Sequence, residues 1–165
     1  DITDRPSYES TKTQTLRGAI DTFQMAVRTE QVDPATIDAA KVLIPEYLKA
    51  ESDPVKKAQA SLAFADLYRV VGDSDNAIAA YKVILETSPD NPDALAGAGL
   101  SLVNLGYINN DKTKLQEGAN LLQKFVGIAP DTHKFKADAV ALIDTLKKEQ
   151  NVTPQKLPAT PRKKP

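Results

Sequence analysis

The sequence predicts an all-α fold of about seven helices, arranged as antiparallel pairs. Apolar residues recur every three or four positions along most of the chain, as they do on the buried face of a helix. Aspartate or asparagine followed by proline interrupts this pattern several times, which ends and starts helices within a few residues and folds them antiparallel. The composition is 41% hydrophobic but only 5% aromatic, and such an interior of small aliphatic side chains favours closely packed helices.

The N-terminal third is predicted to contain a flexible arm, residues 1–12, and a degenerate helix pair, residues 13–50. The first helix has one apolar face made of four residues at helical spacing: Leu16, Ile20, Phe23 and Val27. Asp33-Pro34 starts the second helix, with the aspartate as N-cap and the proline in the first turn. Pro45 lies inside this helix and removes one backbone hydrogen bond, so we expect a kink or a break there.

A helix pair over residues 58–91 is predicted next, and it is the clearest unit of the chain. The same start signal, Asp53-Pro54, opens the helix that leads into it. Gly72 ends this helix because glycine readily takes the left-handed conformation that follows many helices. A second helix then runs until the chain approaches Pro89, which cannot continue it.

Residues 92–132 repeat this pattern with an insertion. Three residues stand thirty-four positions after their counterparts: Gly99 after Ala65, Leu102 after Tyr68 and Gly106 after Gly72. The second helix of this repeat arrives seven residues late because of a polar insertion, residues 107–113. Once the insertion is removed, Gly118 matches Ala77. We expect the insertion to project from the turn side, where a stacked helical array tolerates extra residues.

The C-terminal part is predicted to be a capping helix, residues 133–149, and a disordered tail, residues 150–165. Five residues at helical spacing form the inner side of the helix: Phe135, Ala139, Leu142, Ile143 and Leu146. A last helix without a partner suits a terminal cap, which covers the exposed face of the final repeat. The tail has four prolines, four basic residues and no acidic residue, a composition that favours disorder.

The thirty-four-residue unit resembles the tetratricopeptide repeat. Small residues occupy the positions where the two helices of a unit would cross, and larger ones fill the space beside them. The small residues are Ala65, Ala77, Gly99 and Gly118, and the larger ones are Tyr68, Tyr81, Leu102 and Leu122. The sequence departs from the family at Ser61 and Leu95, where a tryptophan-like anchor is usual, and at Ile84 and Phe125, where a small residue is usual. The resemblance implies a solenoid of stacked helix pairs.

The resemblance also implies a binding groove, because tetratricopeptide arrays generally hold a peptide or a helix against their first helices. Carried over position by position, the groove residues are Gln59, Leu62, Asp66, Arg69, Asp93, Ala96, Leu100, Val103, Asn104 and Lys134, with Ala137 and Ala141 extending the surface. Members that grip the acidic C-termini of chaperones carry lysine and asparagine where this chain has Leu62 and Asp66. We therefore expect that activity to be absent.

The predicted function is non-catalytic: a scaffold, adaptor or assembly factor that binds a protein or peptide partner. Two other classes stay open. The chain could be a regulatory or interaction module of a larger enzyme or of a membrane-anchored complex, or a structural repeat whose stacking faces drive self-assembly. A reading frame that continues into a catalytic domain would favour the first alternative, and light scattering that rises with concentration would favour the second.

No catalytic residue, cofactor or metal site is predicted. The single histidine, His133, is interpreted as a surface or capping residue, and the absence of cysteine excludes thiolate chemistry. Asp73 to Asn76 faintly resemble a calcium loop, but the required glycine and the closing glutamate are missing. No serine lies in a nucleophile-elbow motif.

The charge balance predicts no nucleic-acid partner, since 21 basic and 22 acidic residues nearly cancel. No apolar run reaches the roughly 18–20 residues that a membrane span needs. The sequence begins with Asp1 rather than Met, which fits either a protein that has lost a signal peptide or a fragment. A periplasmic, secreted or membrane-anchored location is therefore slightly favoured over the cytoplasm.

Overall fold

The computed structural model describes residues 5–158, and these residues form seven α-helices with no β-strand. The all-α class and the number of helices are therefore confirmed. In chain order the helices are α1 (Arg5–Thr29), α2 (Pro34–Ala50), α3 (Pro54–Val70), α4 (Ser74–Thr87), α5 (Pro92–Asn109), α6 (Lys112–Ile128) and α7 (Lys136–Gln150). They belong to two compact units, Asp1–Asp73 and Ser74–Pro165, and the boundary lies inside the predicted repeat 58–91.

In unit 1, the helices α1, α2 and α3 all pack on one another. The four apolar residues predicted for the inner face of α1 are all buried, which confirms that face. From α2, the core takes Ile37, Ala40, Ile44 and Tyr47. From α3 it takes Ala60, Ala63, Ala65, Leu67 and Tyr68. The small alanine side chains let this helix approach its neighbours closely.

The helix starts of unit 1 follow the predicted capping chemistry. The Asp33 carboxylate accepts a hydrogen bond from the Thr36 N–H at 2.7 Å, and the Asp53 carboxylate accepts one from the Val55 N–H at 2.9 Å. Each aspartate thereby satisfies a backbone donor that has no partner within its helix. Gly72 has a φ of 80° after the end of α3, as its predicted role requires.

Two features of unit 1 differ from the sequence prediction. The first helix begins at Arg5, so residues 5–12 of the predicted flexible arm are helical. Pro6 lies in the first turn, where its missing N–H costs no intrahelical hydrogen bond. The second helix also continues through Pro45 without a break. Pro45 has no N–H to donate to the Lys41 carbonyl oxygen, four residues earlier. Both residues are exposed, so water can donate to that oxygen instead.

In unit 2, the helices α4 to α7 pack in chain order, each against the next. The central helix is α5, in which eleven of the eighteen residues are buried. Its closest neighbour is α6. A Cβ atom added at Gly118 would lie 2.9 Å from the Gly99 carbonyl oxygen, and one added at Gly99 would lie 2.8 Å from Leu122 Cδ2. The backbones of α5 and α6 therefore approach each other at two glycines.

The predicted insertion, residues 107–113, is not a projecting loop. The last residues of α5 extend into it, and α6 begins at Lys112. The turn between the helices consists of Asn110, in the left-handed conformation with a φ of 52°, and Asp111, whose carboxylate accepts from the Thr113 N–H at 2.9 Å. A left-handed C-cap followed at once by an N-cap closes the connection within two residues.

The C-terminal end of the described chain lies against unit 2. After α7 the chain turns at Asn151, with a φ of 53°, and continues without helical structure to residue 158. Val152 is only 4% exposed, so the predicted disordered tail is anchored to the core at this residue. The predicted parts at 1–4 and 159–165 lie outside the described residues.

The N-cap of α5 offers a test of local stability. Asn91 accepts a hydrogen bond through its side-chain oxygen from the Ala94 N–H at 3.0 Å. Asn91→Ala should therefore destabilise unit 2 by about 1 kcal/mol, while Asn91→Ser, which keeps a capping oxygen, should cost much less. Chemical denaturation of both variants measures the difference. Equal losses for the two would contradict the capping role.

Within residues 5–158, none of the seven helices combines the length and the apolar character that crossing a bilayer requires.

Candidate partner-binding surface

The predicted groove residues of unit 1 lie on α3 with mixed exposure. Gln59 is exposed, and Leu62 is half-buried. Asp66 and Arg69 form an ion pair at 3.7 Å along the same helix face. This part of the predicted surface thus offers a polar edge beside one apolar side chain.

The predicted groove residues of α5 divide into core and surface. Ala96 is 0% exposed and Val103 is 3% exposed, and both pack in the apolar cluster between α5, α6 and α7. A helix that is buried on most sides has few positions left for a groove. Leu100 is half-buried against the same cluster, whereas Asn104 is exposed and donates to the Ser74 Oγ at 3.0 Å.

The predicted groove residue Asp93 contacts the only histidine. His133 Nε2 lies 2.7 Å from Asp93 Oδ1, and His133 Nδ1 accepts from the Phe135 N–H at 3.2 Å. With its second nitrogen accepting, the ring donates through Nε2. The side chain of His133 is 12% exposed and its ring packs edge-on against Phe125 at 4.8 Å. His133 therefore ties the start of α5 to the loop before α7.

An open apolar groove runs between α6 and α7 in unit 2. Its volume is about 520 Å³, and it is lined by Gln123, Val126, Ala137, Val140, Ala141, Ile143, Asp144 and Lys147. Ala137 and Ala141, which the resemblance placed on the groove surface, both lie here. Val140 between them is 50% exposed. Lys134, also predicted, lies before α7, with its ammonium 4.8 Å from the centre of the Phe135 ring.

Unit 1 has a depression of its own, between α1 and α2. Its volume is about 740 Å³. Six of its eleven lining residues are polar or charged: Asp21, Thr22, Thr29, Gln31, Asp33 and Thr36. The Asp33 carboxylate is already used as the N-cap of α2. This depression is larger than the α6–α7 groove, and most of its exposed lining is apolar despite these polar side chains.

A buried carboxylate links the three helices of unit 1. Glu51, at the end of α2, has a side chain that is only 1% exposed. Arg17 of α1 donates to it through Nε at 2.7 Å and through Nη2 at 3.0 Å, and the Tyr47 hydroxyl donates at 2.9 Å. The backbone N–H groups of Ser52 and Asp53, just before α3, donate at 3.1 and 3.0 Å.

This network strongly favours the ionised form of Glu51. The Arg17 guanidinium, and after it the Asp53 N–H, lower the pKa of Glu51 from its ordinary value of 4.5 to about 2. The same hydrogen bond raises the pKa of Arg17. Both oxygens of the Glu51 carboxylate already accept hydrogen bonds from several donors. The carboxylate therefore serves to fix the α2–α3 turn.

Side chains of α6 hold the segment that follows α7. Gln116 Nε2 donates to the Thr153 carbonyl oxygen at 2.8 Å and to Asn120 Oδ1 at 2.9 Å. Asn120 Oδ1 also accepts from the Gln155 N–H at 2.7 Å. The sequence prediction missed both this contact and the Glu51 network. The contact of α6 and the bond from Arg17 to Glu51 left no local signal, because their partners lie more than thirty residues apart in the chain.

Comparison with protein-family models, with curated proteins and with solved structures finds no match to this chain. The resemblance to tetratricopeptide repeats therefore stays a prediction.

Proposed function

We propose that this chain is a non-catalytic protein-interaction module, and that unit 2 binds an amphipathic helix of a partner protein in the α6–α7 groove. The observation that carries the proposal is the open groove between α6 and α7, whose lining combines apolar side chains with Gln123, Asp144 and Lys147. Helix-in-groove recognition uses such a surface, with an apolar floor for binding and polar residues that set the orientation.

The spacing of the groove residues supports a helical partner. Ala137, Val140, Ala141 and Asp144 follow one another at i, i+3, i+4 and i+7, so they share one face of α7. The two alanines leave room for close approach, and Val140 supplies an exposed apolar contact between them. An incoming helix would pack here as the helices of unit 2 pack on one another.

The charges at the rim specify the partner further. Asp144 and Lys147 stand one helical turn apart at one end of the groove. A partner helix with an acidic residue opposite Lys147 would match this end, because Asp144 is already paired with Lys148 at 2.7 Å. Such rim charges contribute mainly to orientation and association rate, whereas the apolar floor supplies the affinity.

The geometry of His133 supports a non-catalytic function. Its two ring nitrogens are held by Asp93 and by the Phe135 N–H. A general base needs a free nitrogen within reach of the proton that it abstracts.

The resemblance to tetratricopeptide repeats supports the same class of function. The repeat arrangement is the finer part of this proposal, and the groove residues that the resemblance implies include Leu62 in unit 1 and Leu100 in unit 2. Both leucines are half-buried, so each presents part of an apolar side chain to the surface.

The test is a selection followed by a matched pair of substitutions. Helical peptides with apolar residues at i, i+3, i+4 and i+7 are selected from a displayed library on the purified full chain. Val140→Glu should weaken the selected peptides at least about tenfold in fluorescence anisotropy, because it places a charge at the centre of the contact. The control, Val83→Glu, makes the same change at an exposed position of α4 and should leave binding unchanged.

A selection that yields no binding peptide would contradict the proposal. So would peptides that bind Val140→Glu as well as they bind the natural chain, once circular dichroism shows equal helicity.

A further inference from the structure

The strongest unexplained feature of unit 2 is the contact between α6 and residues 152–158. The segment has no helical structure, yet its backbone is fixed at three points. The Val152 N–H donates to the Leu146 carbonyl oxygen of α7 at 3.0 Å. Gln116 donates to the Thr153 carbonyl oxygen, and Asn120 accepts from the Gln155 N–H. The hydrogen bond between Gln116 and Asn120 holds the two amides in position for these contacts. Two amides on one helix face thus bind a donor and an acceptor of the same extended backbone.

Side chains of the segment alternate between the protein and the solvent. Val152 is buried and Pro154 is half-buried, whereas Thr153 and Gln155 are exposed. Val152 belongs to the same apolar cluster as Leu115 of α6. The contact between α6 and this segment therefore depends on the side chains of Val152 and Pro154. It also depends on one backbone carbonyl and one backbone N–H, which almost any residue supplies. A site with these requirements does not depend on the rest of the segment's sequence.

We propose that this face of α6, formed by Gln116, Asn120 and the apolar site that holds Val152, is a binding site for extended peptide segments. The chain's own residues 152–158 occupy it, and a segment of a partner protein with a β-branched apolar residue followed two positions later by proline takes their place. Gln116, Asn120 and Val152 do not line the α6–α7 groove, so variants at these residues test this proposal separately from the first.

The position of the segment makes it a competitor for its own site. It follows α7 directly, and the Val152 N–H donates to the Leu146 carbonyl oxygen of that helix at 3.0 Å, so a released segment rebinds as an intramolecular ligand. Short flexible connections give effective concentrations of about 1 mM. A partner peptide must therefore overcome this local competitor, and a change that releases the segment should increase the affinity for a free peptide.

The experiment uses the full chain and one probe, a fluorescent peptide with the sequence of residues 150–158. Val152→Asp places a charge in the apolar site and should release the segment. We expect the probe to bind this variant at least about tenfold more tightly than the natural chain in fluorescence anisotropy. The matched control, Thr153→Asp, adds the same charge at the neighbouring exposed side chain and should bind like the natural chain. A probe with aspartate in place of its valine should bind neither.

Binding to a folded Val152→Asp variant that is no tighter than to the natural chain would overturn the proposal. If that variant is unfolded, hydrogen exchange on the natural chain decides. An excess of the peptide should then accelerate exchange at the Gln155 amide, and unchanged exchange would overturn the proposal. Dimers of the natural chain that the free peptide does not dissociate would also overturn it, because a second copy would then be the occupant.

Discussion

Replacing Gly118 by alanine is expected to destabilise unit 2 by about 1–3 kcal/mol. The new Cβ atom would lie 2.9 Å from the Gly99 carbonyl oxygen and 3.1 Å from the Val103 backbone nitrogen. Both contacts are with backbone atoms of α5, which cannot move aside by changing a rotamer. The effect has the opposite sign to intrinsic propensity, because alanine in a helix normally gains about 1 kcal/mol over glycine.

The matched control is Gly127→Ala in the same helix. No atom outside its local backbone lies within 4 Å of the added Cβ, so only the helix propensity changes. We expect this variant to be slightly more stable than the natural chain. Urea denaturation of both variants measures the two shifts. If the Gly118→Ala variant were more stable than the natural chain, as is expected for Gly127→Ala, the close approach of α5 and α6 would be contradicted.

Glu51→Gln is expected to give the largest loss of stability in unit 1. The substitution keeps the shape of the side chain but removes the charge that two donors of Arg17 share, and it puts an NH₂ group opposite other donors. The side chain at position 51 is only 1% exposed, so the amide NH₂ would be buried opposite other donors without an acceptor, which is costly. The melting temperature of the variant should therefore fall clearly below that of the natural chain.

The control for this variant is Glu46→Gln. Glu46 makes exposed ion pairs with Lys12 at 3.7 Å and with Lys49 at 3.4 Å. Exposed pairs contribute little, so the melting temperature should hardly change. Equal effects of the two substitutions would show that the network around Glu51 is no stronger than a surface contact.

The pH dependence of unfolding gives an independent check on the same residue. The pKa of Glu51 is about 2 in the folded chain and 4.5 without its partners, so folding favours the ionised form. Its contribution to the free energy of unfolding is complete above pH 4.5 and is lost as the pH falls towards 2. The difference in stability between the natural chain and Glu51→Gln should therefore shrink across this range. A constant difference would contradict the lowered pKa.

Local chemistry accounts for the parts of the fold that the sequence predicted well. Asp33, Asp53 and Gly72 act on backbone groups within three residues of themselves, so their roles can be inferred from neighbours alone. The buried face of α1 was predictable for a similar reason, because helical periodicity fixes which residues share a face.

The sequence prediction was wrong at both ends of the described chain, where the local composition favours disorder but tertiary contacts favour order. Residues 5–12 and 151–158 are polar and contain proline, a composition that favours disorder. Helix α1 nevertheless extends to Arg5. Val152 is buried, and the next residue, Thr153, is held by Gln116 of α6, which lies more than thirty residues earlier in the chain. Such contacts depend on which helices become neighbours, and residue spacing does not give that information.

The candidate surface was predictable only in part. Ala137 and Ala141 line the α6–α7 groove. Ala96 and Val103 are buried instead, because α5 is covered by neighbours on most of its circumference. Exposure is a property of the packed helices, and small or apolar residues in a helix do not show whether another helix already covers them.

The hydrogen bond from Tyr47 to Glu51 gives this protein an optical reporter that needs no label. The chain has no tryptophan, so tyrosine absorbance and emission are not masked. The Tyr47 hydroxyl contacts an ionised carboxylate in unit 1, while Tyr81 is fully enclosed in unit 2. Ultraviolet difference spectra of variants in which one of these two rings is replaced by phenylalanine would therefore show whether the units melt together or one after the other.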